Sequence, residues 1–402
     1  MIDRVLSAGS YLIAGTVIQA ILAFAGNVIM LRALGPDEFG RFAVTLAGIS
    51  LIAGLVSLRL GTVVIRTPDS ALTIAFQKRY FTAMLAETGL VAALSTAWLI
   101  ASGRTGWTDM LLLAAVAVQL FCSHARAFWE RTMPFGMIAI LETVVAALAQ
   151  MAGVVIVLMT ASEAAFYIRE AVAAGAMLTG LWLVGGLTWR PLVWPRLNEW
   201  IQVFREARGA WLDAVLEGLF QRLTVLAAAM IGGHQGAGLF SMAQRLAILP
   251  HQLIQPLGRV AATWFSRAEE SENRSKGRDR LILTVAGPLA VAGVLTIAAA
   301  DPLVPWIFGE HWRDAVPILM AMSGAILFMS MFEITRSYAL VIRRTQPLLA
   351  ARAAQFAAFG IGLAAAWFAS DARLIYLGGG FSAAFAMAFA AQFALLRRRE
   401  SA

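Results

Sequence analysis

Uncharged stretches of span length recur along the whole chain. Runs without Asp, Glu, Lys or Arg occupy 5–31, 42–58, 88–103, 110–125, 143–162, 171–189, 223–244, 246–258, 281–300, 315–332, 353–370 and 374–396. A helix crosses a hydrocarbon core of about 30 Å with about 20 residues, and lipid offers no partner for backbone N–H and C=O groups. Each run therefore predicts a membrane-spanning α-helix. Several reach full length only by extending over a flanking charge, which places a few ionisable groups inside the membrane.

Composition supports lipid as the solvent. Of 402 residues 60% are hydrophobic and 14% charged, against about 25% charged in a soluble domain. A mean hydropathy of +0.74 points the same way. Cys122 is the single cysteine, which excludes a disulfide framework and a thiolate metal cluster. His124, His234, His251 and His311 form no ligand pair at helical spacing, so no metal site, cofactor or catalytic residue is expected.

The net charge of +8 raises nucleic-acid binding as a possibility, and the placement of the basic residues answers it. With the N-terminus inside, the predicted cytoplasmic segments carry 23 Lys and Arg residues and the outside loops carry 5. That asymmetry is the positive-inside pattern of a membrane protein, with both termini cytoplasmic, and no nucleic-acid partner follows from it. The uncharged run at 5–31 is too long for a signal-peptide core, and the residues before it carry no net positive charge. The mixed-charge stretch 266–280 reads as a solvated connector. Trp98, Trp107, Trp189, Trp194, Trp200, Trp306 and Trp312 fall near span ends as an aromatic belt. Pro250, Pro256, Pro288 and Pro317 lie in or near spans and are read as helix termini, in preference to kinks that let a helix bend.

A repeat is visible. Gly35-Pro-Asp-Glu-Phe-Gly40-Arg-Phe42 and Gly233-His-Gln-Gly-Ala-Gly238-Leu-Phe240 share the spacing G-x4-G-x-F, and each joins two spans. Leu60-Gly61 and Leu257-Gly258 follow about 20 residues later. The two copies have the same orientation, which predicts a parallel duplication with lobes 1–200 and 201–402. The glycines suit a tight turn with positive φ and close packing at the start of the next helix.

These residues carry a resemblance. Leu34 to Phe42, Gly238 to Pro250, and Pro302-Leu-Val-Pro-Trp-Ile-Phe-Gly-Glu-His-Trp-Arg-Asp-Ala-Val-Pro317 resemble the polysaccharide-biosynthesis (Wzx-type) flippases of the multidrug/oligosaccharidyl-lipid/polysaccharide exporter superfamily. The resemblance implies an all-α integral membrane protein of about 12 helices, in two pseudo-symmetric six-helix bundles around a central cavity. It implies alternating access and transfer of undecaprenyl-pyrophosphate-linked oligosaccharide from the cytoplasmic to the periplasmic leaflet of the bacterial inner membrane. Its implied partners are the bilayer, that glycan, and a polymerase with other polysaccharide-assembly membrane proteins. Where many members carry Asp-Arg in the seventh span, this chain has Gln221-Arg222.

Ionisable side chains at mid-bilayer cost at least about 2.5 kcal/mol and concentrate where function needs them. Asp213, Glu217 and Gln221 are spaced i, i+4, i+8 and form one polar stripe, with Arg222 about 100° round the helix. Arg245, His251, Gln252 and Gln255 follow in the eighth span. Glu87, Glu142, Arg169, Glu170, Glu333 and Arg336 lie in or beside other spans. Arg222, Arg245 and Arg336, with Arg59 near the cytoplasmic mouth, are the expected pyrophosphate ligands, because guanidinium presents a fork of donors matched to phosphate oxygens. The competing arrangement pairs them within the fold, Glu333 with Arg336 on one helix and Glu217 with an arginine on a neighbour. Asp213 and Glu217, with Gln221, are the expected ion-coupling residues, for Na⁺ or H⁺.

Three other functions compete. A membrane glycosyltransferase or polymerase generally needs a large external catalytic loop, which the chain lacks, and no Walker, zincin or nucleophile-elbow motif is present. A small-molecule exporter of the same superfamily differs in substrate alone. A scaffold would lack the stripe of Asp213, Glu217 and Gln221.

Overall fold

The computed structural model describes residues 2–58, 60–67, 70, 72–130, 135–187, 192–193, 196–267, 271–342 and 344–400. Among them the regular structure is helical: α1 (Ile2–Ala33), α2 (Pro36–Val56), α3 (Leu60–Arg66), α4 (Ile74–Ala101), α5 (Trp107–Glu130), α6 (Phe135–Thr160), α7 (Ala164–Leu183), α8 (Leu197–Arg267), α9 (Ser271–Phe308), α10 (Ala315–Val341), α11 (Thr345–Phe368) and α12 (Arg373–Glu400). Each predicted span overlaps one of these helices. Nine described helical stretches are long and apolar enough to cross a membrane. One of the nine, Val215–Gln252, passes through a sharp break and serves two spans. The other two spans are α1, apolar over Val17–Ala33, and α7, which carries Arg169 and Glu170. The chain is a multi-pass, all-helical membrane protein.

The break in α8 follows from glycine. Gly232 has φ −124° and Gly233 φ 62° with ψ −156°, a conformation that a Cβ would strain. The helix turns back on itself there, and Gln244 Nε2 donates to Thr224 Oγ1 across the turn at 3.2 Å. In the first copy of the repeat Pro36 opens α2 with its φ already fixed, and Asp37 and Glu38 place negative charge on the exposed N–H groups of the first turn.

Residues fall into two compact units. One contains 1–34 and 45–223, the other 35–44 and 224–402. In the first, α1 packs on α6, α6 and α5 pack on α7, and α3 and α4 pack on α5. A buried cluster of Leu60, Val64, Tyr80, Phe81, Met84, Phe128 and Val203 joins α3, α4, α5 and α8. The predicted loop 59–79 thus contains a short buried helix. Along α6 an apolar stripe of Met137, Ile140, Val144, Leu148, Met151, Val155 and Leu158 is exposed. Its three-and-four spacing defines one helix face with no protein cover, as a lipid-facing surface requires.

In the second unit α12 packs on α10 and α11, and α9 on α10. The two glycine repeats meet in this unit. A Cβ on Gly40 would overlap the His234 carbonyl, and a Cβ on Gly238 would overlap that of Pro36. Each copy therefore needs its second glycine so that the other's backbone can reach it. Phe39 beside them stacks edge-on against Trp312 at 5.9 Å.

Several sequence expectations change. Trp312 is completely buried rather than part of a belt. The Gly309 turn, with φ 103°, directs Trp312 inward after α9. Trp107 and Trp306 are exposed, whereas Trp189 and Trp194 lie outside the described residues. Pro250 and Pro256 lie inside α8 and Pro288 inside α9, so they do not end helices. Pro317 sits in the first turn of α10, where its missing N–H is harmless. The 266–280 segment is largely the start of α9, and its Arg278 is fully buried.

Candidate functional site

The polar stripe falls on the first arm of α8 in the first unit. Glu217 and Gln221 lie one turn apart on one helix face, both half-buried, and Arg222 is the next residue round. Asp213 belongs to the same helix, but its side chain lies outside the described set. So does Arg59, whose proposed place at the mouth receives no structural description.

Arg245 and Arg336 belong to the second unit and have different surroundings. The Arg245 guanidinium lies 4.8 Å from the centre of the Phe39 ring. Phe39 is itself fixed by Phe42 and Trp312, so the two most recognisable sequence segments together form the support for Arg245. Arg336 forms an ion pair with Glu333 at 3.0 Å, at i, i+3 on α10, the within-helix pairing that the sequence already allowed. His251 Nδ1 lies 3.0 Å from Ser330 Oγ, both buried.

Sequence reasoning missed other buried and half-buried polar contacts. Arg278 is held between Tyr338 and Phe393, 4.8 and 5.2 Å from the ring centres, and pairs with Asp279 at 2.8 Å. Arg352 lies over Phe332 at 5.0 Å and donates to Gln355 at 2.9 Å. Both are buried in protein, in segments that the count of basic residues places on the cytoplasmic side. In the first unit Arg126 bridges Glu130, at 2.8 Å, and Glu142. Arg169 binds Glu170 and Asn27, each at 2.7 Å. His124 pairs with Glu87 at 3.2 Å, both side chains more than nine-tenths buried. No period in the sequence couples positions 87 and 124, because they approach only when α4 packs on α5.

Outside the spans, the Gly309 turn has its own charge pair. Hydrogen bonds from Arg313 to Glu310, at 2.8 and 3.0 Å, hold the carboxyl below the usual carboxylate range and raise the guanidinium correspondingly. No group of three or more potential metal ligands occurs among the described residues.

The chain was compared with known proteins. A family model described as "Polysaccharide biosynthesis protein" matches residues 29–317. Lipopolysaccharide biosynthesis protein WzxC of Escherichia coli is 28% identical over 117 residues, covering 28% of this chain and 23% of that protein. Succinoglycan biosynthesis transport protein ExoT of Rhizobium meliloti is 23% identical over 316 residues, 76% of this chain and 63% of ExoT. The matches thus span less than two thirds of either relative. Among solved structures, an inward-facing multidrug resistance MATE family transporter of the MOP superfamily superposes with a TM-score of 0.71 at 15% identity, covering 96% of this chain and 98% of the other. Lipid II flippase MurJ in an inward closed conformation also gives 0.71, at 11% identity, covering 95% and 87%. At such identities these two structures establish a shared fold.

Proposed function

From the premise that the chain belongs to the polysaccharide biosynthesis protein family, matched over residues 29–317, we propose that it is a flippase for lipid-linked polysaccharide repeat units. The substrate is an undecaprenyl-pyrophosphate-linked oligosaccharide, moved from the cytoplasmic to the periplasmic leaflet of the bacterial inner membrane. Both termini are cytoplasmic. The observation that carries the substrate class is Arg245, a guanidinium placed on the Phe39 ring inside an apolar helical arm. A cation on a ring face is held in a fixed orientation, and guanidinium suits phosphate oxygens. Arg222, Arg336 and Arg59 are the further proposed phosphate ligands.

Reset of the transporter is coupled to Na⁺ or H⁺ through the carboxylates of Asp213 and Glu217, with Gln221 on the same stripe. The protein acts by binding and conformational change and carries no catalytic residue. The fold is shared with multidrug transporters, so a small-molecule exporter is the alternative, and the two differ in which substrate accumulates.

Deleting the gene should leave lipid-linked repeat units on the cytoplasmic face. Normal amounts on the outer face, with no other flippase present, overturn the proposal. An unchanged glycan pool with heightened drug sensitivity favours the exporter. Complementation by Glu217→Gln or Asp213→Asn should fall at least about tenfold, and full complementation by both removes the coupling role.

A further inference from the structure

A cavity of about 300 Å³ opens at the start of α4, away from every residue used above, lined by Ile74, Ala75, Lys78, Arg79, Val193 and Glu199. All six belong to the first unit. Ligand sites start at about this volume. The walls are held from behind. Phe76 stacks on Tyr80 at 4.1 Å, and both pack in the buried cluster that joins α4 to α3, α5 and α8. The Val193 N–H donates to Thr82 Oγ1 at 3.1 Å, which fixes the chain ahead of α8 against α4.

Charge in the cavity does not cancel. Arg79 pairs with Glu199 Oε1 at 3.1 Å, and a second guanidinium nitrogen donates to Gln202 at 3.3 Å. Glu199 Oε2 accepts from the Arg196 N–H at 2.7 Å, as a residue in the first turn of α8 can do for its cap. Both oxygens of the carboxylate are thus engaged, and Glu199 balances Arg79. The Lys78 ammonium has no hydrogen-bond or ion-pair partner among the described residues, so the lining carries one uncompensated positive charge. Ile74 and Ala75 open α4, where N–H groups have no acceptor inside the helix, and the first turn contains no acidic residue. Two cations just inside the positive end of a helix repel it unless an anion lies between them.

We propose that this cavity binds a phosphate group, with the Lys78 ammonium and the Arg79 guanidinium as its ligands. Arg79 has five N–H donors, and its contacts to Glu199 and Gln202 leave some of them for phosphate oxygens. Lys78 supplies the charge that the anion requires. Two sources carry this group, a phospholipid head and free phosphate. Helix α4 is long and apolar enough to span a membrane, so its first turns lie at the level of lipid phosphates. Ile74 and Val193 add exposed apolar side chains at the rim. The site does not depend on which substrate the protein transports.

Its test is a footprint. Lys78 and Lys276 are the only lysines in the sequence, so amine acylation reports on the cavity with an internal reference. Full-length protein in dodecyl maltoside, a detergent without phosphate, is treated with N-hydroxysuccinimidyl acetate. Peptide mass spectrometry then reads the rate at Lys78 against that at the exposed Lys276. Occupancy slows acylation by one plus the ratio of ligand concentration to Kd, about threefold at twice Kd. One arm titrates inorganic phosphate against chloride at matched ionic strength. The other adds phosphatidylglycerol to the micelles against cholate, which brings the same charge as a carboxylate. Slowing by inorganic phosphate supports the proposal with free phosphate as the ligand. Slowing by phosphatidylglycerol alone supports it with a lipid head as the ligand. A relative rate that stays within about 1.5-fold in both arms overturns it, with no variant involved. Equal slowing by chloride or cholate also overturns it, because general screening then accounts for the effect. Arg79→Gln should reduce the slowing to less than about 1.5-fold with the thermal transition retained. Full slowing in that variant overturns the assignment to this cavity.

Discussion

The two units hold their cations differently. In the first, Arg126 faces Glu130 and Glu142, and Arg169 faces Glu170. In the second, Arg245, Arg278 and Arg352 lie on the faces of Phe39, Tyr338 with Phe393, and Phe332. A carboxylate cancels the charge of its partner and holds its geometry. A ring face attracts the cation through its quadrupole, about 0.5 to 2 kcal/mol depending on desolvation, and leaves the positive charge in place. The contrast is one of emphasis, since Arg169 also lies over Phe166 and Arg278 also pairs with Asp279. Ion pairs occur in both units, Arg336 with Glu333 among them in the second, and the difference lies in how much of the support comes from aromatic rings.

Removing the most enclosed cation should have the largest effect on stability. Arg278→Ala empties a fully buried position between two aromatic rings and strips Asp279 of its 2.8 Å partner. The expected loss is about 2–4 kcal/mol, read as an earlier thermal transition in detergent. Arg278→Lys should recover less than half, because an ammonium cannot lie flat between Tyr338 and Phe393. Equal stability of the alanine variant and the original protein would show that the ring cage does not hold α9 to α10 and α12.

The corresponding break in the first unit should be milder. Arg126→Ala leaves Glu130 and Glu142 facing each other without their shared cation, and these side chains are about a quarter to a third exposed. Water reduces the penalty to about 1–2 kcal/mol. Adding Glu142→Gln should return part of that loss, since it removes one of the two stranded charges. If the double variant is less stable than Arg126→Ala, carboxylate repulsion is not the source.

Arg245 separates charge from support. Arg245→Gln should lower stability by about 0.5–1 kcal/mol, the scale of one cation–π contact, while reducing glycan export in a complementation assay at least about tenfold. Phe39→Leu should weaken the support for the guanidinium, with an export defect smaller than that of Arg245→Gln. If Arg245→Gln exports normally, the phosphate role moves to Arg222 and Arg336.

Much of this organisation is legible in the sequence because its causes are local. Uncharged runs specify spans, since lipid admits little else. The turn at Gly233 is written in glycine, and the Glu333–Arg336 pair in a spacing of three. Arg278 and Arg352 are buried against aromatic rings, which a count of basic residues for orientation does not register. A long side chain can instead fold back among aromatic rings. Trp312 was misplaced for a related reason, because proximity to a span end is also what a buried turn residue shows. Glu87 with His124, and Arg126 with Glu142, depend on which helices pack together. Arg59 and the side chain of Asp213 lie outside the described residues, so the mouth and the first member of the stripe are readings from spacing and family pattern.

The smallest expected effect concerns Glu310, outside both sets of intramembrane charges. Arg313 donates two hydrogen bonds to it, and the carboxyl is held below its ordinary value, so the pair stabilises the Gly309 turn above the pH at which an unfolded glutamate ionises. That contribution is lost as pH falls through the depressed folded value. Both groups are solvent-exposed, so water and salt screen the pair heavily. Glu310→Gln should therefore lower the melting temperature by about 1 °C or less near pH 7. The difference should vanish at strongly acidic pH and shrink in about 1 M salt. A larger loss that persists in acid and salt would mean that the substitution disturbs the backbone turn placing Trp312, and the effect would then belong to the packing of the second unit rather than to its surface charge.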